Sequence, residues 1–118
     1  MHEWGYCEGI LEAVQRRAAG RRVKRVRLRV GVLHRLEQDA LQHAFSVAAS
    51  GSEAENASLD VVFIPARSRC RLCQDESEGA EIRLVCSSCG GIEMEASGGD
   101  DMILESVEYE MAAKSETE

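Results

Sequence analysis

No apolar run in this sequence is long enough to cross a bilayer, and no basic segment leads into one near its start. These absences predict a chain with no transmembrane helix and no signal peptide, working in the cytoplasm. Positive charge is short as well. Fourteen basic residues stand against 21 acidic ones, a formal net charge of −7. Nucleic-acid binders draw most of their affinity from neutralising phosphates, so this balance argues against that class and suits a protein partner or a metal ion. Aromatic residues make up only 4% of the chain, and none lies between Cys70 and Cys89. A stacking platform for bases is therefore missing where a nucleic-acid-binding ribbon would need one.

What is present is an ordinary globular composition, 44% hydrophobic and 30% charged over 118 residues. That length allows one compact domain, or a domain with a small satellite. Five cysteines in a reducing compartment imply metal ligation or a free thiol rather than a disulfide framework.

The segment from about Trp4 to Ala19 reads as a helix. Cys7, Ile10, Leu11, Val14 and Ala18 recur at spacings of three and four and form one apolar stripe. Gly20 stops it, with Arg16 and Arg17 in the last turn, where cations suit the helix dipole. Val23 to Val32 alternates as a strand, with Val26, Leu28, Val30 and Val32 on one face and Arg25, Arg27 and Arg29 on a solvated, charged one, near Glu108 and Glu110. A second helix is expected from Glu37 to Ala49, burying Leu41, Phe45 and Ala48. Leu59 to Ile64 reads as a second strand, stopped by Pro65. Met102 to Met111 resumes the alternation and is expected to return to the first sheet.

From Arg67 to about Gly99 the apolar residues thin out, and a segment so poor in core needs a staple. Cys70-Arg-Leu-Cys73 and Cys86-Ser-Ser-Cys89 are two C-x₂-C knuckles twelve residues apart. Two residues between cysteines let both sulfurs turn toward one ion, and two such pairs complete a tetrahedron for zinc. A closed four-thiolate site has no open position, so its role is structural. Cys7 lies on the first helix's apolar stripe and reads as a small buried hydrophobe. His34 falls just past the first strand and His43 on the second helix, where surface or packing roles are expected.

The resulting architecture is α/β. Two helices pack on a small mixed three-stranded sheet, interrupted by a zinc-ribbon-like module. Residues 1–66 and a returning strand over 100–112 form the main domain, 67–99 the zinc module, and 113–118 a tail.

The start of the chain is the second informative feature. The α-amine of Met1, nearby deprotonatable amides and the His2 imidazole can wrap a square-planar site, which suits Ni(II) or Cu(II) better than Zn(II). Glu3 adds a carboxylate, as a ligand or as the partner that orients the imidazole. On these residues alone, a frayed terminus carrying a histidine is the other reading.

Met1-His2-Glu3-Trp4, an amphipathic helix, a strand ending in Val30-Gly31, a helix containing Ala44-Phe45, a strand ending at Pro65, the paired knuckles and a closing hydrophobic-acidic strand follow in one order. Nearly the whole chain resembles the hydrogenase nickel-incorporation proteins of the HypA type, with HybF as their relative. The resemblance implies a cytoplasmic nickel metallochaperone for [NiFe]-hydrogenase, not an enzyme. It places His2 and Glu3 in the nickel site and Cys70, Cys73, Cys86 and Cys89 in the zinc site. It implies as partners a nickel-handling maturation GTPase and the hydrogenase large-subunit precursor, with the chain a monomer or weak homodimer. An additional acidic nickel ligand near the second helix has Glu37 and Asp39 as candidates. Two departures from the family pattern, Gln74 after the first knuckle and Ser87 inside the second, bear on turn geometry only. No histidine flanks the knuckles, so the pH or nickel sensing of some relatives is not expected. The rival readings are a nucleic-acid-binding or transcription-accessory zinc ribbon, and a thiol oxidoreductase using one C-x₂-C pair. Neither pair sits at a helix start, where a thiolate would be activated.

Overall fold

The computed structural model describes residues 2–111, leaving aside the side chain of His2. Met1, the His2 imidazole and the expected tail over 113–118 lie outside the described residues. Two helices and six strands follow in the order α1 (His2–Ala18), β1 (Val23–Gly31), α2 (Gln38–Ala48), β2 (Ser58–Ile64), β3 (Ala66–Cys70), β4 (Glu76–Gly79), β5 (Met94–Ser97) and β6 (Met102–Tyr109). A one-turn 3₁₀ helix, Val32–His34, follows β1. One sheet has the order β2-β1-β6 and the other β4-β3-β5. The chain divides into two compact units, Met1–Leu28 with Leu36–Val61 and Leu104–Glu118, and Arg29–Arg35 with Val62–Ile103.

In the first unit α1 buries Cys7, Ile10, Val14 and Ala18, the face that the three-and-four spacing marks out, while Leu11 stays half-buried. Ala19 and Gly20 take left-handed φ values of 51° and 90°, which ends the helix and turns the chain into β1. α1 packs on α2, and the thiol of Cys7 donates to the carbonyl of Leu41 at 3.5 Å. α2 starts where Glu37 caps it, its carboxylate accepting from the Ala40 N–H at 3.3 Å. It buries Leu41 and Phe45, and Ala49 rather than the expected Ala48 completes that face. One turn apart on α2, Gln38 donates to the Leu59 carbonyl at 3.0 Å and Gln42 accepts from the Leu59 N–H at 2.7 Å. These two side chains satisfy both main-chain groups of a residue on edge strand β2.

Val23, Val26, Leu28 and Val30 of β1 are buried, and the intervening arginines are exposed as the alternation requires. On that exposed face Arg27 pairs with Asp60 of β2 at 3.3 Å, and Glu110 is met by Arg22 at 3.9 Å. β6 lies beside β1 as expected. The Glu110 N–H donates to the Arg22 carbonyl and the Gly31 N–H to the Asp101 carbonyl, so residue numbers run oppositely along the pair and the two strands are antiparallel.

The second unit holds what the sequence reading left unassigned between 67 and 99. β3 pairs antiparallel with β4 and with β5. Ala66, Ser68 and Cys70 point inward and Arg67 and Arg69 outward. The outward arginines face Glu78 and Glu76 on β4, and Arg69 also faces Glu95 on β5. Half of the polar stretch over 74–81 is thus a strand whose glutamates answer the arginines of β3.

Candidate metal centre

Each knuckle is built by the same local device. The chain turns back on itself so that the Gln74 N–H donates to the Cys70 carbonyl and the Gly90 N–H to the Cys86 carbonyl, both at 2.9 Å. Closing such a turn needs a left-handed residue at its end, and Gln74 and Gly90 have φ values of 70° and 76°. Glycine adopts this at no cost. Gln74 does so against the ordinary preference of an L-residue, held by its side chain, which bonds the Arg71 carbonyl and receives Arg69. Cys70 closes β3. Cys86 donates its N–H to the Gly91 carbonyl at 2.8 Å, which ties the approach to the second knuckle to its exit.

The four sulfurs meet. Cys70 lies 3.7 Å from Cys89 and Cys73 lies 3.6 Å from Cys86, and all four lie within 4.8 Å of one another. A disulfide needs about 2.05 Å, so neither pair is bonded. A regular tetrahedron with Zn–S bonds of about 2.3 Å has sulfur–sulfur edges of about 3.8 Å. The observed spacings fit that figure, and the donor set is the soft one that zinc prefers.

Four thiolates this close repel, and a dication is what allows all of them to ionise. The backbone N–H groups of Cys89 and Ser88 pull the Cys86 thiol down to about 7. The Asp75 backbone N–H pulls Cys73 the same way, but the hydrogen bond with the Cys86 thiol, desolvation, and hydrogen bonds with the thiols of Cys89 and Cys70 outweigh it and push Cys73 up to about 12. Two residues that the sequence reading passed over steady the pair of knuckles. Ser88 donates its hydroxyl to the Asp75 carboxylate at 2.9 Å, linking one knuckle to the other. Their signal is an acid and a hydroxyl within two residues of a knuckle cysteine.

The second candidate site is placed only in part. α1 begins at His2, and Glu3 occupies its first turn. Met1 and the His2 imidazole lie outside the described residues. Glu3 lines a groove of about 390 Å³ with Trp4, Ala40, His43, Ala44 and Val47, so the sequence's outlying His43 shares a wall with Glu3. Glu37 is committed to capping α2, and Asp39 is exposed in its first turn. His34 ends the 3₁₀ turn with Nε2 at 3.0 Å from the Asp100 carbonyl. A carbonyl only accepts, so Nε2 carries the proton of that bond. Cys7 is fully buried, and burial, with the charge of Glu3 adding to it, pushes its thiol up to about 11. It is a packing residue, as its place on the stripe implies.

A two-helix α/β unit and a small three-stranded unit with four clustered cysteines fit an α/β protein with a zinc-ribbon-like module. The family model described as hydrogenase/urease nickel incorporation, metallochaperone, hypA matches residues 1–109, and the chain belongs to that family. It is 34% identical to hydrogenase maturation factor HypA of Desulfitobacterium hafniense over 113 residues, spanning 93% of this chain and 99% of that one. It is 38% identical to the factor of that name from Rhodobacter capsulatus over 112 residues, spanning 92% and 98%. The solution structure of the Ni metallochaperone HypA from Helicobacter pylori shares the fold, with a TM-score of 0.60 at 20% identity over 91% of this chain and 96% of that one. A second HypA solution structure gives a TM-score of 0.62 at 21% identity over 92% and 96%.

Proposed function

We propose that this chain binds Ni(II) at its N-terminus and delivers it for maturation of [NiFe]-hydrogenase, with zinc held by Cys70, Cys73, Cys86 and Cys89 as a structural ion. The nickel ligands in this reading are the Met1 amine, the His2 imidazole and adjoining amide nitrogens, with Glu3 as a further ligand or as the group that orients the imidazole. It is a carrier, not a catalyst, and works in the cytoplasm. Its partners are a nickel-handling maturation GTPase and the hydrogenase large-subunit precursor, and it acts as a monomer or weak homodimer.

The observation that most supports the nickel site is the start of α1 at His2. A helix leaves its first four N–H groups without intrahelical partners, so the amides of His2 and Glu3 are not tied into the helix ladder. The same end of a helix carries a partial positive charge that opposes a bare cation. A nickel ion there is met by negative ligands, namely deprotonated amides and the Glu3 carboxylate. Each ligand can be released in turn to an acceptor, which suits delivery rather than storage.

Proton competition sets the pH dependence. An α-amine titrates near about 7.8 and an imidazole near about 6.5, so nickel affinity should rise with pH and fall away below about 6. A leader of two residues before Met1 removes the amine ligand without altering any side chain. Nickel titrations at pH 7.5 should show the leader form at least tenfold weaker and without the square-planar absorption band. Equal affinity and an equal band in both forms would contradict the proposed ligand set.

The paired arginines disfavour the rival nucleic-acid ribbon. Arg67 lies 3.4 Å from Glu78, Arg69 lies 3.7 Å from Glu95 and Arg71 lies 3.0 Å from Glu95. Cations already met by carboxylates have little to offer phosphates.

A further inference from the structure

The zinc-type knuckles carry a group of aliphatic side chains that the fold does not bury. Leu72 is 64% exposed, Leu84 76%, Val85 52% and Ile92 76%. Single exposed leucines need no explanation, but these four flank the clustered cysteines. Leu72 and Val85 each immediately precede a ligand cysteine, Leu84 is one residue further back, and Ile92 follows Cys89 by three. The four sulfurs they flank lie within 4.8 Å of one another. The Leu72 side chain reaches over the second knuckle, since a Cβ added at Gly91 would stand 2.7 Å from Leu72 Cδ1. The bond from the Cys86 N–H to the Gly91 carbonyl sets Val85 and Ile92 on neighbouring positions. The result is an aliphatic cap around the metal centre, left in water.

Its charge frame is acidic on balance. From Leu72 through Glu95 there are six acidic residues and one basic residue, Arg83. Arg67, Arg69 and Arg71 meet Glu76, Glu78 and Glu95, which leaves Asp75, Glu81 and Glu93 beyond those pairs. Four thiolates around a dication add a net charge of roughly −2 at the centre of the cap.

We infer that this cap is a docking surface for a protein presenting apolar side chains bordered by lysine or arginine, and that the protein is one that gives nickel to this chain or takes it. The inference rests on the delivery role proposed above. An aliphatic cap with a net acidic rim selects for the opposite sign and against its own copy, because a second copy brings the same net negative rim. Anionic lipid is disfavoured for the same reason. The metal then has two effects: it folds the module, and by folding it assembles the cap from two chain segments.

The test uses the full zinc-loaded chain with a native start, and as probes the purified maturation GTPase and hydrogenase large-subunit precursor of the same organism. Leu84→Ser combined with Ile92→Ser removes the cap without touching a ligand, and Glu81→Lys reverses part of the rim. At least one probe should bind wild type, bind the double variant at least tenfold more weakly, and bind Glu81→Lys more weakly with a shallower salt dependence. Backbone amide shifts on binding should concentrate at residues 72, 84, 85 and 92. One zinc per chain and an unchanged nickel titration would show the variants intact. Binding of both probes at wild-type strength by the double variant, or no binding of either probe to wild type, overturns the inference. So does a wild-type dimer that the double variant dissolves, or capture by anionic vesicles. Failure of the nickel reading is distinguishable, because His2→Ala would then bind nickel as wild type does while docking at the cap persists.

Discussion

Two residues in equivalent places show how far identity and conformation can part. Gly90 and Gln74 close the two knuckles in the same left-handed turn, at φ 76° and 70°. A C-x₂-C spacing announces the turn, so the meeting of all four cysteines was legible from the chain. Which side chains steady the turn was not legible, because Asp75 and Ser88 meet only after both knuckles have folded. Cys7 is the opposite case, since helical periodicity alone separates it from the other four. The five thiols should therefore respond in two classes. In native zinc-loaded protein none should react readily with a thiol reagent at neutral pH. Extracting the metal with a mercurial should expose four in step with zinc release. Cys7, unexposed and with its thiol raised to about 11, should react only when the chain unfolds. The sign for pH follows: in the unfolded chain this thiol ionises near its ordinary value of about 8.5, so folding stability falls as pH climbs from there toward 11. A thiol count of five released with the zinc, without unfolding, would contradict the division.

At the scale of elements, α1, β1, α2, β2 and β6 were all visible as periodicity, within a residue or two at their ends. The hydrophobic pattern is strong there because each element buries one face. β3, β4 and β5 were not visible, since a strand is recognised by its apolar face and these bury only Ala66, Ser68 and Cys70 on the central strand. Their signal lies in charge instead, with arginines at 67, 69 and 71 against glutamates at 76 and 78 in a matching period of two. The end of β1 depends on a backbone contact that no pattern reveals. A Cβ at Gly31 would stand 2.0 Å from the Gly99 carbonyl oxygen and 2.6 Å from the Asp100 nitrogen. Main chain on both sides cannot step aside, and the Gly31 N–H bond to Asp101 and the Leu33 N–H bond to Gly99 hold it there. Gly31→Ala should cost about 3 kcal/mol in urea unfolding of the zinc-loaded protein. Gly9→Ala, in α1 with nothing within 4 Å of the new atom, should stabilise by about 0.5–1 kcal/mol. Equal effects of the two substitutions would contradict the close approach.

Taken whole, the molecule keeps two kinds of stability apart. The unit with α1 and α2 has an ordinary hydrophobic interior, with Val14, Val26, Leu28, Leu41 and Phe45 out of contact with water. The unit with β3 to β5 buries little beyond Val30, Ala66, Ser68 and two of the cysteines, and the clustered sulfurs stand where a larger core would otherwise be. That difference explains why the most conspicuous motif speaks of what holds the chain together, while the metal it is proposed to carry binds elsewhere. The central claim is that Ni(II) is held at the N-terminus through His2, apart from the cysteines. The most direct measurement is a Ni(II) titration of zinc-loaded wild type and His2→Ala, both starting at an untagged Met1, followed by the square-planar absorption bands with zinc content assayed alongside. Loss of the bands and an affinity at least tenfold weaker in His2→Ala, with one zinc per chain in both, is the expected result. Identical bands and affinity in the two proteins, or nickel that displaces zinc from the cysteines, would contradict it.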